Sequence, residues 1–141
     1  MTLQISSRLA IFALTELAAD PERQVSVSEI GNTFNVSSHH LAKVMHTLGR
    51  AGLVASVRGV GGGYKFCGNA KRTTLLDVIN LFEDSPSDTL SQSESEQSKP
   101  AEWALDQILF EIDDIARATL GSITLATMLK QIDRHKKISH G

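Results

Sequence analysis

The chain has 141 residues, enough to bury one respectable core, or one domain with a helical appendage. Its single cysteine rules out an intramolecular disulfide, no apolar run is long enough to cross a bilayer, and the start lacks the continuous apolar core and cleavage pattern of a secretory signal, so a cytoplasmic location is expected. The net charge of −2 hides an asymmetry: residues 1–72 hold eight Lys/Arg against four Asp/Glu, and residues 73–141 hold six against twelve. The first part suits contact with a polyanion, and the second should stay off it.

In chain order, Ser6 or Ser7 is expected to cap a first helix whose apolar faces carry Leu9, Phe12, Ala13, Leu14 and Leu17, and which ends before Asp20-Pro21. Ser26 and Glu29 have capping-box spacing, predicting a short helix from about Val27 to Phe34 that buries Ile30 and Phe34. Asn35 tolerates the turn that follows. Ser37 then caps another helix, with Leu41, Val44, Met45 and Leu48 inward and Gly49 or Gly52 near its end. These two helices form a helix-turn-helix. The outward face of the second consists of Ser38, His39, His40, Lys43, His46, Thr47 and Arg50, all cationic or hydrogen-bonding and none acidic, which suits a groove of phosphates and base edges. Metal-binding helices usually space ligands four apart, and the partner of His39 at that spacing is Lys43, so no metal is expected there.

Residues Leu53 to Val57 and Tyr64 to Phe66 have strand character, separated by Gly59, Gly61, Gly62 and Gly63, whose backbones reach angles closed to other residues. The result is a hairpin that presents Arg58 beside nearly bare backbone. A P-loop or dinucleotide fingerprint would open a helix after its glycines, whereas a strand follows here, which disfavours nucleotide binding. Alone, such a hairpin could be an ordinary turn with a solvated arginine. Directly after a helix with a cationic face, it indicates DNA recognition.

Thr73 or Thr74 caps the next predicted helix, which carries Leu75, Leu76, Val78, Ile79, Leu81 and Phe82 and should be buried. Residues 84 to 100 hold six serines, two prolines and one large apolar side chain, Leu90, predicting a flexible loop. From about Ala101 to Leu120 a long helix bears a stripe of Leu105, Ile108, Leu109, Ile112, Ile115, Ala116 and Leu120, with a second row of Trp103 and Phe110. Two apolar faces need two partners: the domain's own core for one, and the same helix of a second subunit for the other. Ser122 or Thr124 caps a last helix with Leu125, Met128, Leu129 and Ile132 inward, and its cationic tail Arg134-His135-Lys136-Lys137 complements the helix C-terminus.

The stretch HHLAKVMHTLGRAGLVASVRGVGGGY strongly resembles the winged helix-turn-helix of the Rrf2 family of bacterial transcription regulators, which includes the iron–sulfur biogenesis regulator IscR and the nitric-oxide-sensing repressor NsrR. The likeness extends to MTLQISSRLAIFALTELA, LLDVINLFE and ITLATML, leaving out residues 84 to 100. It implies a dimeric repressor or activator on an inverted-repeat operator, with the helix after Ser37 in the major groove and Arg58 in the minor groove. Members commonly sense through an iron–sulfur cluster held by three cysteines before the long helix, often with a carboxylate from the first helix. Here residues 84 to 100 hold no cysteine, Cys67 stands alone at the end of the wing, and the first-helix position is Arg8. Serine is a poor substitute for thiolate, and the segment's serines do not all follow the family's cysteine spacing. A natural member without a cluster is therefore expected, rather than one whose cysteines were replaced, and no redox role is expected for Cys67.

The expected fold is mainly α with a small β-hairpin wing: a winged helix-turn-helix over residues 1–83, a flexible loop over 84–100, a dimerisation helix over 101–121, and a C-terminal helix and tail over 122–141 packing back on the domain. The expected DNA contacts are Ser37, Ser38, His39, His40, Lys43, His46, Arg50, Arg58, Gly59, Gly61, Gly62, Gly63 and Tyr64; the dimer contacts are Leu105, Ile108, Leu109, Ile112, Ile115 and Ala116. The alternative is a protein-interaction or sensor module that keeps the fold and acts through a protein partner. No catalytic constellation, metal or cofactor is expected, and the effector is not legible.

Overall fold

The computed structural model describes residues 3–59, 62–83 and 99–140. Six helices and a two-stranded hairpin make up these segments: α1 (Ile5–Ala19), α2 (Val27–Phe34), α3 (Ser38–Arg50), β1 (Val54–Val57), β2 (Gly63–Phe66), α4 (Leu75–Ile79), α5 (Pro100–Leu120) and α6 (Leu125–His140).

Helix α1 is the hub, touching α2, α3, α4, β2 and α6. Neighbours on several sides explain why Leu9, Ala10, Ala13, Leu14, Leu17 and Ala18 are all buried, and why alanines recur where backbones approach. The expected serine cap is corrected: α1 starts at Ile5, with Gln4 as N-cap and Arg8 N–H bonded to the Gln4 carbonyl at 3.1 Å. Both serines lie inside the helix because their hydroxyls serve other elements. Ser7, fully buried, donates to the Glu83 carboxylate, and Ser6 bonds His40.

At the start of α2, Ser26 Oγ accepts the Glu29 N–H, but the Glu29 carboxylate pairs with Arg23 at 3.1 Å instead of returning to Ser26, so the spacing makes half a box. Asn35 ends the helix in the left-handed region, at φ 56° and ψ 53°. Phe34 is half-buried rather than buried, stacked on Phe12 with ring centroids 5.2 Å apart. Ser37 Oγ accepts the His40 N–H at 3.2 Å, and α3 buries Leu41, Val44, Met45 and Leu48, the four residues expected inward.

The hairpin is antiparallel, pairing Val54 with Phe66 and Val57 with Gly63. Val25, just ahead of α2, exchanges both backbone hydrogen bonds with Tyr64 at 2.9 and 3.0 Å, which ties the wing to the helix-turn-helix. Gly63 is needed for that approach, since a Cβ there would collide with the Val25 carbonyl.

Thr74 caps α4 in a complete capping box with Asp77, and Val78 and Ile79 are fully buried. This helix is shorter than expected. It gives way after Ile79 to tight turns in which Leu81 N–H bonds the Val78 carbonyl and Phe82 N–H the Ile79 carbonyl, rotating Leu81 out of the core to 39% exposure.

The largest correction concerns α5. Pro100 occupies its first turn, where the missing N–H costs nothing. Neither apolar row is fully buried: no α5 residue is buried, Trp103 is exposed, Phe110 is half-buried, and among the described residues Leu120 is the α5 side chain packed against the core. The physical reason is that, among the described residues, α5 meets the domain mainly at its C-terminal end, through α4. Thr124 rather than Ser122 caps α6, accepting the Thr127 N–H, while Ser122 donates to the Thr119 carbonyl. Leu125 is fully buried, and Met128 and Leu129 pack beside it, bringing α6 back onto α1. The expected loop lies outside the described residues over 84–98. No described helix is long and apolar enough to cross a membrane.

Candidate nucleic-acid interface

The four buried side chains of α3 fix which face turns outward. Ser38, His39, Lys43, His46 and Arg50 are exposed along it, and Thr47 is half-buried with its hydroxyl donating to the Lys43 carbonyl at 3.3 Å. Ser37 is exposed and committed to capping. His40 differs from its neighbour His39: it is half-buried, with Nε2 3.2 Å from Ser6 Oγ on α1.

At the end of β1 Arg58 is exposed and makes no ion pair among the described residues. Gly59 adopts φ +116°, and the Gly62 N–H closes a turn onto its carbonyl at 2.9 Å. A Cβ on Gly62 would lie 2.6 Å from the Val57 carbonyl oxygen, so this close approach requires glycine. Gly61 lies outside the described residues. Gly63 belongs to strand β2, and Tyr64, paired with Ser56, is half-buried and packed against the core.

Tyr64 instead joins Met45, His46, Gly49, Arg50, Val54, Ala55 and Ser56 around an open groove of about 390 Å³ between α3 and the hairpin. This groove connects the second half of the helix to the wing. Ser56, which is not among the expected contacts, lines this groove. The two-residue strand period starting from buried Val54 puts it on the same side, which was the available signal.

Residues 36–66, which contain the helix and the wing, hold Lys43, Arg50, Arg58 and Lys65 and no Asp or Glu. A surface of one sign, with exposed donors on a convex helix and a narrow arginine-bearing projection, is chemically matched to a duplex: a wide groove for the helix and phosphates for the flanking cations. On α5, Leu105, Ile108, Leu109, Ile112 and Ile115 are each more than half exposed and follow helical spacing, with Ala116 half-buried beside them.

The donor set for a metal is poor. Among the described residues no three His, Cys, Asp or Glu side chains come together, and the exposed Cys67 thiol donates to the Gly52 carbonyl at 3.3 Å. Arg8 lies over the Phe12 ring, 5.5 Å from its centroid, so the first-helix position that could approach a cluster carries a cation.

Residues 3–131 match the model of the Rrf2 family, described as an iron-dependent transcriptional regulator. A protein of Rhodopseudomonas palustris, provisionally named the HTH-type transcriptional regulator BadM, is 47% identical over 137 residues, which is 97% of this chain and 86% of the relative. A provisionally named HTH-type regulator of Neisseria meningitidis serogroup A is 30% identical over 93% of this chain and 89% of its own. Among solved structures, oxidised CymR of Staphylococcus aureus superposes with a TM-score of 0.73 at 27% identity, covering 92% of this chain and 96% of that one. IscR of T. potens gives 0.73 at 26% identity, covering 94% and 88%.

Proposed function

Because the chain belongs to the Rrf2 family of transcriptional regulators, we propose that it is a sequence-specific DNA-binding homodimer that represses transcription from inverted-repeat operators in the cytoplasm. The observation that carries this reading is the cationic stretch of α3 and the hairpin, residues 36–66, free of any acidic side chain, with the hairpin anchored ahead of α2 by the Val25–Tyr64 bridge. On this reading α3 enters the major groove, with Ser38, His39, His40 and Lys43 toward base edges and Arg50 toward phosphate. Arg58 enters the adjacent minor groove, where its guanidinium meets enhanced negative potential. The uncovered stripe of α5 supports assembly with a second copy, since an apolar face this long is rarely left in water on a monomer.

The residues present do not fit an iron–sulfur cluster: soft thiolate ligands are needed, and the whole chain supplies one cysteine, located at the wing base and away from the segment before α5. The proposed regulator therefore works without one.

The test is to recover genomic fragments bound by the purified protein and to titrate the recovered duplex against salt. Binding that prefers an inverted repeat, with log affinity falling linearly in log salt, is expected. Absence of any salt-dependent duplex preference would overturn the reading.

A further inference from the structure

Two adjacent serines on α1 make unusual tertiary bonds. Ser7 is fully buried and donates to the Glu83 carboxylate in the turns after α4, while Leu9 and Ala10, two and three residues on, are buried in the core. The first turns of α1 are therefore held rigidly. Ser6, next in the chain, is half-buried and projects a hydroxyl onto His40 Nε2 at 3.2 Å, across 34 residues of sequence. His40 is in the first turn of α3, and its N–H is already held by the Ser37 cap. The ring is thus held through Nε2 on a backbone fixed at the same residue, and Nδ1 makes no hydrogen bond among the described residues. The neighbouring His39 side chain is exposed and has no such partner.

We propose that Ser6 is a positioning residue for base recognition: by holding Nε2 of His40, it fixes the orientation of the ring and leaves Nδ1 for the duplex. This inference rests on the reading of α3 as the recognition helix. A serine hydroxyl both donates and accepts, so the contact holds the ring whichever of its nitrogens carries the proton. A fixed ring loses less freedom on meeting a base edge than a rotating one. Ser6 contributes by restricting His40, without itself touching DNA.

The test has two independent parts. In the free protein, nitrogen-15 NMR of the imidazoles reads the hydrogen bonding of each ring nitrogen directly. Ser6→Ala should move the His40 ring signals toward those of His39, and Ser6→Thr, which keeps the hydroxyl, should restore them. On DNA, selection from a randomised duplex library should show Ser6→Ala relaxing preference at the same base pair that His40→Ala relaxes, by roughly 2- to 10-fold. Affinity for unrelated duplex should not change, Ser6→Thr should recover the preference, and the double variant should lose no more than His40→Ala alone. Unchanged His40 signals in Ser6→Ala, or wild-type preference in that variant while His40→Ala alters it, would overturn the proposal. Failure of the wild-type protein to prefer any duplex would instead overturn the reading on which it rests, a distinct result, since the NMR comparison needs no DNA.

Discussion

Replacing Ile112 with glutamate tests the role of α5 most sharply. Ile112 sits in the middle of the helix at 54% exposure, flanked on the stripe by Leu105, Ile108, Leu109 and Ile115 at 53–68%. Full burial of such a side chain contributes about 1.5–3 kcal/mol, so the half still open offers about 1 kcal/mol each, and five residues on each of two copies offer on the order of 10 kcal/mol. Association costs about 4–15 kcal/mol in lost freedom, so the margin is narrow and one substitution decides it. Glutamate at this position removes about 1 kcal/mol of burial from each copy and places an unpaired carboxylate in a desolvated seam, for a total penalty of several kcal/mol felt twice by symmetry. Sedimentation velocity at micromolar concentration should show wild-type dimer and Ile112→Glu monomer. Because Ile112 takes no part in the single-chain core, circular dichroism of the variant should retain a folded helical spectrum. Binding to a two-half-site duplex should fall to the level of a single half-site. A dimeric Ile112→Glu with wild-type affinity for the repeat, or a wild-type monomer that binds the repeat tightly, would refute the reasoning.

Arg58→Ala should weaken specific binding by about 1–3 kcal/mol and leave the melting temperature nearly unchanged, checked by operator titration and a thermal melt. Substituting His39 should alter base preference more than Arg50→Ala, which should weaken all duplexes alike; equal, sequence-independent losses would contradict the division of roles. Gly63→Ala should destabilise the chain by about 1–3 kcal/mol, because its Cβ lies against the Val25 backbone, and denaturant unfolding measures this. Anaerobic reconstitution with iron and sulfide should leave no stable visible chromophore, and a stoichiometric cluster would overturn the cluster-free reading.

Where local rules act alone, the sequence was a good guide. Ser37, Leu41, Val44, Met45 and Leu48 specify both the start and the inward face of α3, and Asn35 takes the left-handed turn its side chain tolerates. Strand propensity and glycine likewise locate the hairpin. Local rules fail where distant groups compete for the same atoms. Ser6 and Ser7 have capping chemistry, yet His40 and Glu83 engage their hydroxyls, and nothing nearby in sequence announces that. Glu29 has capping-box spacing, yet Arg23 takes its carboxylate. Burial of α5 could not be read from its apolar stripe, because periodicity reports that a partner is required and not which chain supplies it. The half-buried place of Tyr64 beside the core is likewise not legible locally, because its bridge to Val25 is a pairing remote in sequence.

The short connection between α5 and α6 has a mechanical consequence. Leu75 N–H bonds the Ile123 carbonyl, Leu125 N–H the Thr73 carbonyl and Ala126 N–H the Ala70 carbonyl, each at 2.9 Å, and Arg117 reaches Asn80 at the same distance. These bonds clamp the root of the long helix to the strand-like segment leading into α4, so α5 is a lever fixed at one end rather than an arm on a hinge. In the proposed dimer, the angle of that lever and the contact point along it act as a ruler for the distance between the two recognition helices. Loosening the clamp, for instance by inserting glycines between Gly121 and Thr124, would then broaden the range of half-site spacings tolerated while each half-site is still read as before.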